Sequence, residues 1–290
     1  MSETVCAVVV THNRLALLRE CLTALAAQTR PPDQVLVVDN ASTDETLEAL
    51  ARDFPEAGVL ALPTNQGGAG GFHEGLRAAH AGGSDWVWLM DDDTIARPDA
   101  LAELVAACAD HPDLPSPLLL ASKAEWEDGR LHPMNLPGFE RYRPELVIRA
   151  AEHGLLPLRT TTFVSVLVSR EAVDRFGLPP KHFFIWSDDI EYTARILRGG
   201  AGYLVPSSVV DHRTKAPHTA ITTAGGRFYF HVRNTLYMIR GDAWSTMEKL
   251  PLVWVVLVTS IAYLRHNRFS RASAATVLRG LRDGVRRLPA

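Results

Sequence analysis

The sequence is most constrained by residues 86–93. Here Trp86, Val87, Trp88, Leu89 and Met90 run directly into Asp91, Asp92 and Asp93. An apolar run with no polar alternation reads as a strand buried on both faces. Such strands belong to sheets covered by helices above and below. Three adjacent carboxylates repel one another and are costly to bury unpaired. A buried strand ending in them is placed to deliver them to a divalent cation, and Mg²⁺ and Mn²⁺ are hard cations that take carboxylate oxygens. A solvated acidic turn is the competing reading, because Asp is common in loops. In an open α/β sheet, however, ligands bind at the carboxyl ends of the strands, where these aspartates sit.

The first 110 residues repeat one pattern. Residues 5–10 are an apolar, β-branched strand that ends at Thr11, His12 and Asn13. Asn13 is expected to cap a helix bearing Leu15, Leu18, Leu22 and Leu25, which Pro31 and Pro32 stop. A second strand, 35–38, ends at Asp39 and Asn40. Ser42, Thr43, Asp44 and Glu45 read as a capping box opening a second helix, with Leu47 and Leu50 on its inner face. After a short strand at 59–62 comes a glycine-rich segment, 65–71, and a helix to about His80. Pro98 suits the first turn of a further helix bearing Leu101, Leu104, Val105 and Cys108. Strand and helix in alternation predict an α/β fold, a mostly parallel sheet with helices on both faces. Polar residues end consecutive strands, so a site along one sheet edge is expected.

The pattern breaks over 111–157, where seven prolines intervene; this is expected to be a connecting, partner-facing region without a long helix. A strand at 161–168 and a short helix at 171–176 follow. Aromatic residues 182–186 lead to Ser187, Asp188, Asp189 and Glu191, at the start of a helix. Ser187 or Asp188 could cap it. Asp189, in the first turn, would be favoured in its ionised form by the helix dipole and so could act as a general base. Strand-like residues 203–205 and 209–210 lead into Asp211 and His212, with His218 nearby in the chain. Two carboxylates and one imidazole are a reasonable ligand set for Mn²⁺. The glycine-rich segment could present N–H groups to phosphates. It is neither a dinucleotide fingerprint, since His73 stands where the last glycine belongs, nor a P-loop.

Composition excludes little else. A length of 290 residues allows one large domain or two small ones, and a net charge of −3 argues against a nucleic-acid partner. Cys6, Cys21 and Cys108 form no CxxC pair and read as buried reduced thiols. The opening residues are polar and acidic, without the character of a signal peptide, which predicts a cytoplasmic protein.

Taken together, Val8 to Arg14, Val37 to Asp44, Asn65 to Phe72, Asp91 to Asp93 and Trp186 to Asp189 resemble a family 2 glycosyltransferase with the GT-A (Rossmann-like) fold. Within that family the glycine-rich segment and the Trp186–Asp189 region are similar to bacterial galactofuranosyl- and rhamnosyltransferases of cell-envelope glycan synthesis, the mycobacterial initiating galactofuranosyltransferases above all. The resemblance implies a nucleotide-sugar donor held by Thr11, His12, Asn13, Arg14, Asp39, Asn65, Gly67, Gly68, Asp91 and Asp92. In it, Thr11 and Asp39 contact the base and ribose. It implies a divalent metal, Mn²⁺ or Mg²⁺, on Asp91, Asp93 and His212, with the middle residue Asp92 leaving open which two of the three aspartates ligate. Asp189 is implied as the base, and Trp186, Asp188, Glu191 and Arg233 as residues near the acceptor. The implied reaction inverts the anomeric centre. UDP-galactofuranose is the favoured donor, dTDP-rhamnose the alternative, and a lipid-linked or oligosaccharide chain the acceptor. A nucleotidyltransferase would want a more basic first loop than Arg14 alone supplies. A non-catalytic nucleotide-sugar-binding protein would not need two acidic clusters, and a glycoside hydrolase would not need three aspartates on one strand end.

The expected organisation is a catalytic domain over 1–215, divided into a nucleotide-binding half at 1–110 and an acceptor half at 111–215, and a helical basic region at 216–290. Aromatic and cationic residues mix over 228–234. Residues 250–264 are almost wholly apolar, short of the roughly 20 needed to span a bilayer. Arg265, Arg268, Arg271, Arg279, Arg282, Arg286 and Arg287 follow, opposed only by Asp283. Apolar and basic segments side by side predict peripheral attachment to the inner face of the cytoplasmic membrane, with a homo-oligomer contact as the other use of such a surface.

Overall fold

The computed structural model describes residues 3–108, 111–126, 128–214 and 225–286. The expected boundary at 215/216, His218 and Arg287 lie outside the described residues. The alternation predicted for the first part is present: β1 (Val5–Thr11), α1 (Leu15–Ala26), β2 (Gln34–Asp39), α2 (Thr46–Asp53), β3 (Gly58–Ala61), α3 (Gly67–Ala81) and β4 (Trp86–Asp91). There follow β5 (Thr94–Ala96), α4 (Ala100–Ala106), β6 (Pro117–Glu125), β7 (Gly138–Phe139), α5 (Pro144–Glu152), β8 (Leu156–Thr160) and β9 (Val166–Ser169). The chain continues through α6 (Arg170–Phe176), α7 (Asp188–Gly199), β10 (Ala201–His212), α8 (Phe228–Arg240), α9 (Thr246–His266) and α10 (Arg271–Gly284).

The strands form one sheet in the order β3-β2-β1-β4-β9-β6-β10-β8-β7, with β5 paired to β10 off this path. The first four strands are mutually parallel, β9 opposes β4 and β6, and β6 runs parallel to β10. Side-chain alternation divides the core in two. Val5, Ala7 and Val9 of β1 and Trp86, Trp88 and Met90 of β4 meet α1, α2 and α4 on one face. Cys6, Val8, Val10, Val87 and Leu89 meet α3, α6 and α7 on the other. Burial on both faces is why these strands read as unbroken apolar runs.

The proline-rich stretch departs from expectation. Pro117 opens β6, a nine-residue strand between β9 and β10 in the interior of the sheet. Proline at a strand's first residue costs the ladder little, and the apolar run behind it is free to pair. Pro144 opens the nine-residue α5, where its missing N–H is not needed. Two expected caps also fail. Asn13 takes a positive φ of 54° and accepts from the Thr43 amide (2.7 Å), while α1 begins after Arg14 without a side-chain cap. Ser42 Oγ accepts from the Asn13 amide (3.0 Å), so no capping box forms and α2 begins at Thr46. The two loops are sewn to each other instead.

The C-terminal helices pack on the catalytic body. Glu248 of α9 completes a capping box with Ser245 and pairs with Arg159 of β8 at 2.6 Å. Arg159 also donates to the carbonyls of Ala194 and Ala243 and stacks on Trp244. At 21 residues, α9 is longer than the apolar run within it and is long and apolar enough to cross a membrane by length and composition.

Candidate active site

The chain reverses direction of sheet growth between β1 and β4, and a crevice opens at the carboxyl ends of strands flanking such a switch. Thr11 and Asp91 end those two strands. Thr11 Oγ1 donates to Asp92 at 2.8 Å. Arg14, half-exposed, reaches over to Asp93 at 2.6 Å and Asp92 at 3.2 Å. Asp92 and Asp93 are themselves buried.

His212 arrives by long-range pairing. β5 runs antiparallel to the end of β10, with His212 opposite Thr94, and the Arg213 amide donates to the Asp93 carbonyl at 2.9 Å. Ligand atoms of Asp91, Asp93 and His212 all lie within 4.8 Å of one another. The imidazole tautomer follows from its neighbours. Asn135 donates its amide to Thr162 (3.0 Å), so its oxygen faces His212 and accepts the Nδ1–H at 2.7 Å. In the neutral ring Nε2 therefore keeps its lone pair. It stands 3.2 Å from Asp93 Oδ1, a buried oxygen that receives no aligned hydrogen bond. An orphaned carboxylate oxygen beside an oriented imidazole lone pair fits a divalent cation with mixed O and N ligands. His132, packed 4.7 Å from the His212 ring, is held neutral by burial, its pKa lowered to about 4.

The electrostatics of the triple Asp are lopsided. Burial, with the charges of Asp93 and Asp92 beside it, pushes Asp91 well above the usual carboxylate range. Burial lifts Asp92 to about 6, against the pull of Arg14. Burial also opposes ionisation of Asp93, but a His212 carrying a proton on Nε2, where a cation would otherwise sit, together with Arg14 outweighs it and holds its pKa low. A cation among these groups would favour ionisation of them all.

The donor-side residues expected from sequence gather around the same edge. Asp39 is buried at the end of β2, and among the described residues its carboxylate accepts only the Ser42 amide, at 3.2 Å. Asn40 beside it, expected only as a polar strand end and given no role by sequence, uses its side-chain amide to donate to Gly67 O and accept from Gln66 N, both at 2.8 Å. Asn65 accepts from the Gly67 amide at 2.8 Å. The glycines are not a loop preceding a helix but the first two turns of α3. A Cβ at Gly71 or Gly75 would stand 2.4 or 2.5 Å from Val10 or Val8, so these glycines let α3 lie directly on β1. At Gly68 a Cβ would meet nothing within 4 Å. His12 is half-buried with its Nδ1 unpartnered.

Asp188 and Asp189 open α7. Burial and the neighbouring charge of Asp189 raise Asp188 well above the ordinary range. Asp189 accepts the Ile190 amide at 2.8 Å, but burial outweighs this and lifts its pKa to about 6. The helix start thus does not leave it more acidic than usual, as its position predicts. A base with a pKa near 6 is still ionised at neutral pH and is better matched to proton transfer than an ordinary Asp. The Asp189 charge also acts on Asp91, so the two carboxylates stand within electrostatic reach of each other. Ser187 makes no cap; it takes a left-handed backbone, φ 70°. Two residues placed by sequence near the acceptor are occupied within the protein. Glu191 pairs with Arg195 at 3.0 Å. Arg233 donates to the carbonyls of His182 and Phe183 and stacks on Tyr229, Phe230 and Tyr237. Trp186 packs partly buried against the cluster around Phe228.

A mixed, mostly parallel sheet flanked by helices, with acidic residues at its switch point, defines a GT-A glycosyltransferase. The fold matches the crystal structure of S. aureus TarS in complex with UDP-GlcNAc with a TM-score of 0.65, at 18% identity, over 97% of this chain and 80% of that one. Residues 6–172 match the profile of glycosyl transferase family 2, and the chain belongs to that family. It is 31% identical over 275 residues to the galactofuranosyltransferase GlfT1 of Mycobacterium tuberculosis, covering 89% of this chain and 90% of that protein. It is 26% identical over 290 aligned positions to the N-acetylglucosaminyl-diphospho-decaprenol L-rhamnosyltransferase of the same organism, covering 88% and 90%.

Proposed function

We propose that this glycosyltransferase is metal-dependent and inverting, and that it moves galactofuranose from UDP-galactofuranose to a lipid-linked or oligosaccharide acceptor of the cell envelope. One observation carries the reading: Asp91, Asp93 and His212 converge with an orphaned oxygen beside an imidazole oriented by Asn135. Asp189, whose charge reaches Asp91 and whose pKa burial lifts to about 6, supplies the base of the reading. Asp91, Asp93 and His212 would hold Mn²⁺ or Mg²⁺, which when bound neutralises charge growing on a departing nucleoside diphosphate. Asp39 accepts from a ring N–H of the base, and Thr11 and the start of α3 line the nucleotide. Asp189 accepts the proton of the acceptor hydroxyl, which enters opposite the leaving group, so the anomeric centre inverts. Most of the protein's contribution is positioning.

The rhamnosyltransferase relative supports a second reading with dTDP-rhamnose as donor. Donor binding and hydrolysis across a panel of UDP- and dTDP-sugars, with Mn²⁺, Mg²⁺ or EDTA, separate the two. UDP-galactofuranose binding only with metal and turning over is the expected result. A dTDP-sugar winning transfers the proposal to the second reading. Binding without turnover points to a nucleotide-sugar-binding protein.

In the same reading the enzyme works at the inner face of the cytoplasmic membrane. Only 17% of the apolar window of α9 is buried, and Leu250, Trp254, Leu257, Val258 and Ile261 stand exposed at helical spacing. Arg265, Arg268 and Arg271 are exposed beside them. One side of α9 packs through Val256, Ser260 and Tyr263 on the rest of the protein, which suits a helix lying on a surface. Co-sedimentation with vesicles containing anionic lipid, lost on Trp254→Glu, is expected; no recovery with those vesicles, with a native chain that elutes as an oligomer, would point to an oligomer contact instead.

A further inference from the structure

We infer that Asn234 is a positioning residue for the transfer reaction, holding the strained backbone from which Asp189 is presented; the inference rests on the reading of Asp189 as the base. Phe184 has φ 65° and ψ −58°, and the Ile185 amide donates to Phe183 O at 2.8 Å. This is a γ-turn of the rare, strained hand. Trp186 and Ser187 follow at φ 65° and 70°. Three of the four non-glycine residues 184–187 therefore stand at positive φ immediately before α7. Backbone of this kind persists only where its surroundings over-determine it.

Asn234, fully buried on α8, supplies that constraint. Its Nδ2 lies 3.1, 2.9 and 2.8 Å from the carbonyl oxygens of Phe183, Ile185 and Trp186, and its two N–H hydrogens are shared among the three, one of them bifurcated. Its Oδ1 accepts from Arg233 Nε at 3.0 Å, which fixes the orientation of the amide. The other side of the turn abuts the donor half. Phe184 O accepts the Ala69 amide at 3.2 Å, and a Cβ at Gly67 would stand 1.9 Å from the same oxygen. Gly67 O in turn accepts from Asn40, next to Asp39. One joint, Asn40 to Gly67 to Phe184 to Asn234, thus sets where the base helix starts relative to the nucleotide edge. Asn234 touches neither Asp189 nor the aspartates of β4 in this network, and acts through the main chain.

The test uses the full chain, UDP-galactofuranose with Mn²⁺, and water as acceptor, well below the unfolding midpoint of each variant. Asn234→Ala is expected to lower kcat about 100-fold, the scale of a misplaced catalytic group, and to leave donor Kd within about threefold. The same change in an Asp189→Asn background is expected to cost little more, because both act on one step. Should the alanine form melt below assay temperature, Asn234→Ser keeps one donor and should give the same split at smaller size. A folded variant with unchanged kcat, a loss carried wholly in donor Kd, or costs that add fully to Asp189→Asn would each overturn the inference. Normal turnover by Asp189→Asn alone would instead remove the base reading.

Discussion

The two acidic clusters are built in opposite ways. Asp91, Asp92 and Asp93 end a strand in a regular parallel sheet, and their positions follow from strand register with Val10 opposite Asp91. Asp188 and Asp189 follow a turn no local preference would choose, held from a helix more than forty residues on. Regular structure places charges that must converge on one point. On the proposed reading, irregular, clamped backbone places a single base whose direction matters. The first cluster is therefore expected to tolerate changes in its surroundings and fail through its ligands, and the second to fail through its support as well.

The largest effect that would break this contrast is at the ligands. Asp93→Ala should abolish metal-dependent donor binding and lower turnover by about 10³-fold, read by titration calorimetry and UDP release. Retained Mn²⁺-dependent binding would place the ligand set elsewhere. Asn135→Leu removes the hydrogen bond that orients His212 and should weaken metal affinity by about 10–100-fold while leaving the fold intact. The base cluster should declare itself in pH. With Asp189 lifted to about 6, kcat should rise with pH through that value and level off near pH 8, and Asp189→Asn should lack this limb. The sign for stability is the reverse. A buried acid with a raised folded pKa lowers stability as pH climbs from about 4 through 6, so Asp189→Asn should melt higher than the native chain above pH 6 and equal to it near pH 4. Smallest in catalysis should be Glu248→Gln. Burial works against its ionisation, but the Arg159 hydrogen bond dominates and lowers its pKa to about 2. Its contribution, about 2–3 kcal/mol, is present above pH 4.3 and lost as pH falls toward 2. The substitution should therefore lower the unfolding midpoint at pH 7 by several degrees and leave kcat unchanged.

Legibility in the sequence followed the same division. β1, β2 and β4 were legible because strands buried on both faces leave no ambiguity of period. The carboxylates of β4 were legible because a strand end in an open sheet is a functional position. His212 was chemically reasonable as a ligand from its residue type, but only family resemblance tied it to Asp91 and Asp93, because its place depends on pairing between β5 and β10 across a large sequence separation. Asn135 and His132 were lost inside a segment read as proline-broken connection, although proline at a first position breaks neither strand nor helix. Ser42 shows the limit of local motifs. Its hydroxyl had a reasonable partner in its own helix and a better one in the Asn13 loop. Asn40 and Asn234 fell inside stretches the sequence marked, a strand end and the aromatic-cationic segment, but their roles did not show, since a buried amide that satisfies distant carbonyls looks like any other asparagine until the fold is known.

The most direct test of the division of labour is to compare native protein and Asp189→Asn in one experiment. UDP-galactofuranose is titrated into each with Mn²⁺ and again after EDTA, and UDP release is followed on the same samples. The account predicts equal affinity in Mn²⁺, loss of binding in both with EDTA, and turnover by the variant lower by about 10²–10⁴-fold. Unimpaired turnover by Asp189→Asn, or binding indifferent to EDTA, would contradict it.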